Sequence, residues 1–269
     1  MSSKPTPHNP RSWIDHAIFW QLYPLGFTAA ERDARREPIQ HRLPQIEGWL
    51  DYVVELGCSG LLLGPIFASE SHGYDTTDHF QIDPRLGDQA DFDRLVAAVH
   101  GKGLKLVLDG VFNHVGRSFP RLVDVAHNGE RSAHAHWFRR VGQHPDGRPK
   151  LAVFEGHDRL VALNHAQPDV ARYVTDVMAH WLGRGADGFR LDAAYAVPPE
   201  FWQRVLPELR RAHPQAFILG EVIHGDYART IQDSGFDSLT QYELWKAIWS
   251  ALNDVNMFDL AWALERHAG

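Results

Sequence analysis

Cysteine is nearly absent: the 269 residues hold one, Cys58, which excludes any internal disulfide framework. It lies in the apolar stretch ELGCSGLLL, a setting that predicts a structural thiol rather than a reactive one. No apolar run approaches the roughly 20 residues of a membrane-spanning helix, so no membrane role is expected. The opening MSSKPTPHNPRS has no apolar core, and no secretory signal is expected in it. The expectation that follows is a cytoplasmic protein. Basic residues are outnumbered, 27 lysines and arginines against 34 acids for a net charge of −7, and no basic stripe gathers them. That argues against nucleic acid as a partner. Tandem repeats, low-complexity tracts and a glycine-rich phosphate loop near the end are also missing, and the last absence disfavours a phosphate-binding metabolic barrel.

What is present is an alternation. AIFWQLY (17–23), GLLLGP (60–65), LKLVLD (104–109), DGFRLD (187–192), AFILGE (216–221) and FDSLT (236–240) read as strands. Between them LPQIEGWLDYVVELG (43–57), QADFDRLVAAVHGKG (89–103), PDVARYVTDVMAHWLGRG (168–185) and PEFWQRVLPELRRAH (199–213) have helical spacing. Pro207 is expected to kink or restart the last of these. Strand and helix taking turns predicts parallel strands with helical crossovers, and near-continuous apolar strands fit a sheet closed into a barrel. Residues 115–165 break the rhythm and are rich in Gly, Pro, His and Arg. The organisation read from this is an α/β barrel over 1–114 and 166–269, about six βα units, with a small insertion at 115–165 after the third strand.

Three predicted strands end on acids: Asp109, Asp192 and Glu221. One acid after a strand is ordinary, and alone each is a solvated group at a loop start. Three on consecutive strands of a barrel point to a site at the C-terminal face, where barrels keep their chemistry. Neighbouring strands lie about 4.8 Å apart, so carboxylates at the ends of the fourth and fifth can face one small molecule. Arg190 and Asp192 are two apart and share a face. The guanidinium is expected to keep Asp192 ionised, as a nucleophile requires. The apolar FILG before Glu221 is expected to desolvate that carboxyl and suit it to donate a proton. An ionised and a protonated carboxyl about 5–5.5 Å apart is the retaining glycosidase arrangement.

These residues carry a resemblance. DGVFNH (109–114), GFRLDAAYA (188–196) and GEVIH (220–224) resemble signature regions of the alpha-amylase superfamily of glycoside hydrolases. FWQLYPLGF (19–27) is similar to its first strand, HGYDTTDHFQIDPRLG (72–87) to the loop after its second, and LNHAQPDV (163–170) to the region before its fourth helix. GYDTTDH and VALNHAQP look nearest the neopullulanase, cyclomaltodextrinase and oligoglucosidase branch, whose members often carry an N-terminal domain not seen here. The resemblance implies a (β/α)8 barrel and hydrolysis of α-glucosidic bonds in maltooligosaccharides or starch-like glucans. It implies Asp192 as nucleophile, Glu221 as acid/base and Arg190 as the group that holds Asp192. It further implies His114 as a hydrogen-bonding partner of the sugar, Tyr74 as a stacking platform with Asp75 beside it, and His224 on the leaving-group side. Asp109 is expected to order its loop.

No cofactor is expected. Many family members bind calcium through a residue matching Asn113 and acids of the excursion, but position 162, where such relatives place an aspartate, is Ala162, and calcium needs six to eight oxygens. The histidines at 127, 134, 136, 144 and 157 match no zinc spacing and read as surface residues. The family's third acid, an Asp preceded by His on strand seven, has no counterpart after Glu221. The chain is therefore expected to be a shortened enzyme, a piece of a longer product, or a remnant that self-associates through open barrel edges. By itself it is expected to turn over maltooligosaccharides very poorly. A transglycosylase with the same machinery and a non-catalytic carbohydrate-binding protein are the alternatives.

Overall fold

A computed structural model describes residues 12–33, 38–145 and 149–267. The stretch read for a leader, up to residue 11, and the last two residues lie outside the described residues. Six short strands form one parallel sheet: β1 (Phe19–Leu22), β2 (Gly60–Leu63), β3 (Lys105–Gly110), β4 (Gly188–Leu191), β5 (Phe217–Gly220) and β6 (Ser238–Leu239). Their order in space follows their order in the chain, every neighbour parallel. With right-handed crossovers this places the covering helices on one face, and strand twist curls the sheet around the other. The result is a curled sheet of the (β/α)8 barrel type with six strands described, and β1 and β6 as its open edges.

Alternation along the strands separates two apolar layers. Leu61, Leu63, Leu106, Leu108, Phe189, Leu191 and Ile218 belong to the large core shared with the helices. Leu62, Val107 and Phe217 form a second cluster on the concave side, joined by Phe19 and Trp13. The curl is visible in one contact: Phe19 of β1 stacks on Phe217 of β5, centroids 5.9 Å apart and planes 6° apart. Trp13 meets both rings edge-on. Glycine makes room for this plug. A Cβ on Gly188 would lie 2.3 Å from the Phe217 carbonyl oxygen, and one on Gly60 would lie 2.9 Å from the Phe19 ring.

The helices follow the predicted spacing with two corrections. The stretch 43–57 forms two short helices, α1 (Leu43–Glu47) and α2 (Leu50–Glu55), separated at Gly48 and Trp49. Next, α3 (Gln89–Gly101) starts on a capping box: Asp88 accepts from the N–H of Ala90 and Asp91, and Asp91 accepts from that of Asp88. It buries Phe92, Leu95, Val96 and Val99 at helical spacing. α4 runs Pro168–Gly183 and α5 runs Pro199–Ala212. Pro207 does not restart α5. It lies on the exposed face, where water can satisfy the carbonyl that its missing N–H leaves free.

Beyond β5 come α6 (Tyr227–Ser234), α7 (Tyr242–Asn253) and α8 (Met257–His267). None of the three has a counterpart among the four helices expected from spacing. The 115–165 stretch, read as an aperiodic excursion, holds a helix (Pro120–Asn128), a hairpin of Arg140–Gln143 with Pro149–Leu151, and a small antiparallel sheet. That sheet pairs His114–Val115 with His157–Ala162, and the latter with Val153–Phe154. Its strands are too short for alternation to announce them. No described helix is long and apolar enough to cross a membrane.

Candidate active site

Register places the acids. Arg190 of β4 lies opposite Asp109 of β3 and Leu219 of β5. One step on, Leu191 lies opposite Gly110 and Gly220. Asp192 and Glu221 are then the next residue on each strand, at the same end. Backbone bonds continue the sheet through both: Asp192 donates to the Gly110 carbonyl and Glu221 to the Leu191 carbonyl, each at 3.0 Å. Period two turns Asp109, Arg190 and Asp192 toward the concave side, away from the helix-facing Leu108 and Leu191.

The three carboxylates meet on one guanidinium. Arg190 Nη1 donates to both oxygens of Asp109 at 2.7 and 2.8 Å and to Asp192 Oδ1 at 3.0 Å. Its Nη2 lies 2.5 Å from Glu221 Oε1. Asp109 is wholly buried, and Arg190 and Asp192 nearly so. One cation cannot neutralise three acids, and burial opposes leaving two uncompensated charges. Burial, then the neighbouring Asp109, push Asp192 up to about 7 against the pull of Arg190. Burial likewise raises Asp109 to about 6. This corrects the expectation that Arg190 alone would keep Asp192 ionised: the guanidinium is shared three ways.

Glu221 also differs from expectation. Its carboxylate does not lie in apolar surroundings; it accepts from the Ala193 N–H at 2.8 Å and from Tyr242 O–H at 2.9 Å, in addition to Arg190. The apolar side chains of FILG point to the two apolar layers of the sheet, and the glutamate reaches past them to this polar rim.

His114 sits at the first position of the small sheet, paired with Ala162. Asn113 Nδ2 lies 3.1 Å from its Nδ1, and the Tyr74 backbone also hydrogen-bonds the ring. The ring Nε2 is buried with no hydrogen-bond partner, 3.9 Å from Asp192 Oδ2. Burial holds the imidazole neutral, lowering it to about 4. A buried ring nitrogen without a hydrogen-bond partner, facing Asp192, marks a place for a polar atom of a ligand. Tyr74 extends its hydroxyl to Asp109 Oδ2 at 3.3 Å, and burial raises its pKa.

Asp75, expected beside the platform as a substrate contact, turns the other way. It is fully buried and accepts from Ser71, N–H at 3.1 Å and O–H at 2.5 Å. It orders the 70–75 loop that presents Tyr74. His224 lines a hollow of about 810 Å³ between Glu221 and the last two helices, with Tyr242, Trp245, Lys246 and Trp262; Asp192, His114 and Tyr74 are not part of its lining. That size suits a small-molecule ligand.

Two residues of this cluster escaped sequence reasoning. Tyr242 lies 21 positions after Glu221 in a helix not anticipated, and Tyr195 donates its backbone N–H to the Glu221 carbonyl at 3.2 Å. Tyr195 falls inside the GFRLDAAYA motif, which was the available signal.

For a metal, Asn113 meets His114 through Nδ2, not through the oxygen a cation would take, and Ala162 offers no side-chain oxygen. Among the described residues, one group of His, Asp and Glu side chains comes close enough together to hold an ion: His41, Asp88 and Asp91. Asp88 and Asp91 are occupied by the α3 capping box, and His41 by Asp91 at 2.5 Å.

Comparison with known proteins places this geometry. Residues 21–261 match the family model described as alpha amylase, catalytic domain. A cyclomaltodextrinase from a Bacillus species is 35% identical over 262 residues, 89% of this chain and 46% of the relative. Neopullulanase 2 of Thermoactinomyces vulgaris is 33% identical over 86% of this chain and 42% of its own length. The chain thus spans about half the length of these curated relatives. Among solved structures, the ligand-free cyclic alpha-maltosyl-(1→6)-maltose hydrolase of Arthrobacter globiformis superposes with a TM-score of 0.82 at 28% identity, over 96% of this chain and 63% of that one.

Proposed function

Because the chain belongs to the alpha-amylase catalytic-domain family, we propose that it carries the nucleophile and acid/base of a retaining α-glucan hydrolase. Asp192 attacks the anomeric carbon while Glu221 gives its proton to the departing glycosidic oxygen. A glycosyl–Asp192 ester results. Water then gives a proton to Glu221 and attacks the same carbon, releasing Asp192 with net retention. The observation that carries this reading is the pair of carboxylates at the ends of adjacent parallel strands, held on the two Nη atoms of one arginine. A cluster with three acids and one cation retains a proton near neutrality, and in the free site burial keeps it among Asp109 and Asp192. The proposed reaction therefore requires that proton to leave Asp192 as substrate binds, with Glu221 as the group that hands a proton to the glycosidic oxygen. His114 Nε2 supplies a hydrogen-bonding partner for a sugar hydroxyl, and the Tyr74 ring an apolar face for the pyranose.

The substrate class we infer is maltooligosaccharides or starch-like glucans. It rests on what the relatives are called: cyclomaltodextrinase, neopullulanase and maltogenic amylase. A cytoplasmic location is proposed from the intracellular maltogenic amylase of Bacillus subtilis, 32% identical over 79% of this chain. We also propose that the chain self-associates where β1 and β6 leave the sheet open and the outer side of α7 and α8 is apolar.

The test is a 5-fluoroglucosyl fluoride, which traps the covalent intermediate. A mass adduct on the peptide holding Asp192, lost in Asp192→Asn, supports the reading. Turnover with the adduct elsewhere refutes it, and absence of both adduct and turnover favours a binding protein that keeps the fold of an enzyme.

A further inference from the structure

The small sheet reaches the catalytic cluster from outside the barrel. Its tip is the turn between Val153–Phe154 and His157–Ala162. Phe154 lies flat on the His114 imidazole, centroids 4.8 Å apart and planes 23° apart. On its other side it meets Tyr195, 6.4 Å away. The next residue, Glu155, has φ +46°, and Gly156 has φ +81°. Two consecutive left-handed residues are the pattern of a tight hairpin turn, for which asparagine or glycine is the usual first choice. A glutamate there is held at a cost of about 1–2 kcal/mol. Its carboxylate has a partner: Tyr195 donates its hydroxyl to Glu155 Oε1 at 2.7 Å, across 40 residues of chain. Tyr195 belongs to the segment that holds Glu221, through its own N–H to the Glu221 carbonyl and that of Ala193 to Oε2. Ala193 is itself left-handed, φ +46°. One strained turn therefore touches both the histidine beside Asp192 and the backbone that orients Glu221.

We propose, resting on the reaction assigned above, that Phe154 and Glu155 are positioning residues. Phe154 clamps the His114 ring so that its unpartnered Nε2 stays facing Asp192, and Glu155 pins the Ala193–Tyr195 segment through the Tyr195 hydroxyl. The clamp also keeps water from His114, which sustains the neutral ring. The other titratable groups acting on His114 are Asp192, Asp75, His72 and His79, and all are retained in the variants below.

The test reads His114 directly in the full chain labelled with 15N-histidine, its resonance identified by loss in His114→Gln. In the unaltered protein the expected result is a titration midpoint near 4 and a single tautomer above it. Phe154→Ala should raise the titration midpoint by one unit or more and mix the two tautomers, whereas Phe154→Tyr should preserve both. A Phe154→Ala protein that is folded by circular dichroism, with His114 midpoint and tautomer unchanged, overturns the clamp. The reading needs no turnover. For the second contact, Glu155→Gly relaxes the turn and removes the acceptor. It should leave thermal stability equal or higher while lowering kcat about tenfold with KM within twofold. Glu155→Gln, which keeps an acceptor, should restore kcat. Equal kcat in Glu155→Gly and the unaltered enzyme overturns the pin. If Asp192→Asn leaves turnover intact, the assigned reaction fails separately, and the His114 titration still decides the clamp.

Discussion

Replacing Arg190 with methionine tests the electrostatics of the site most directly. The side chain keeps most of the arginine stem and removes the one cation shared by Asp109, Asp192 and Glu221, at 2.7, 3.0 and 2.5 Å. All four side chains are at most 15% exposed, so water screens little of the loss. Breaking a buried ion pair by deleting one partner costs about 3–5 kcal/mol, and that is the loss expected at pH 8. The cost should shrink in acid. Asp192 at about 7 and Asp109 at about 6 lie above the usual aspartate value of 3.8, so the folded state binds protons that the unfolded chain does not. Their contribution to stability is complete below about pH 4 and is lost as pH rises through about 6 to 7, in the unaltered protein as well. At pH 5 Asp109 and Asp192 are largely neutral, and most of what remains is the lost hydrogen bonds, about 1–2 kcal/mol. Urea unfolding followed by fluorescence of the nine tryptophans at both pH values measures this. A loss below about 1 kcal/mol at pH 8, or the same loss at pH 5 and pH 8, would refute the view of an acid-rich cluster held by one shared guanidinium.

Tyr242→Phe removes the hydroxyl that meets Glu221 Oε1 at 2.9 Å; kcat should fall about tenfold with KM little changed, as expected of a preorganised donor at a reacting group, and an unaltered kcat counts against a role for Tyr242. Gly188→Ala would set a methyl 2.3 Å from the Phe217 carbonyl oxygen and should cost about 2–3 kcal/mol by prising β4 from β5, read as a lowered urea midpoint. The outer side of α7 and α8 exposes Trp245 at 62% and Phe258 at 87%, a patch of a kind that monomers rarely show. Sedimentation velocity should find concentration-dependent association that Trp245→Ser with Phe258→Ser weakens; a monomer at every concentration removes the self-association proposal.

The barrel was legible because each strand is a short, nearly unbroken apolar run and each intervening helix carries its apolar residues three and four apart. GLLL and KLVLDG need no partner to declare themselves as interior strands. The in-phase spacing of Arg190 and Asp192 also needs only the pleat of one strand. The small sheet at 114–162 stayed hidden because strands of two to six residues with mixed exposure leave no period to detect. α7 carries Trp245, Ile248, Trp249 and Leu252 at the same helical spacing and was open to the same reading; what spacing could not tell is that this face is exposed rather than turned to the core.

Local chemistry, then, settled which segments are strands, which end in acids and which arginine shares a face with Asp192, since those depend on residues a few positions apart. It did not settle how the charges balance. Asp109, Asp192 and Glu221 converge on Arg190 only because β3, β4 and β5 lie in register, and burial with their count against a single guanidinium pushes Asp192 up where the Arg190–Asp192 pair alone suggested it would be held down. The Tyr242 hydroxyl, the Phe154 clamp and the Glu155–Tyr195 contact span 21 to 40 residues, and the curl of the sheet decides them. Pairwise energies within one strand can be read from its letters, whereas those between strands exist only after the chain has closed on itself.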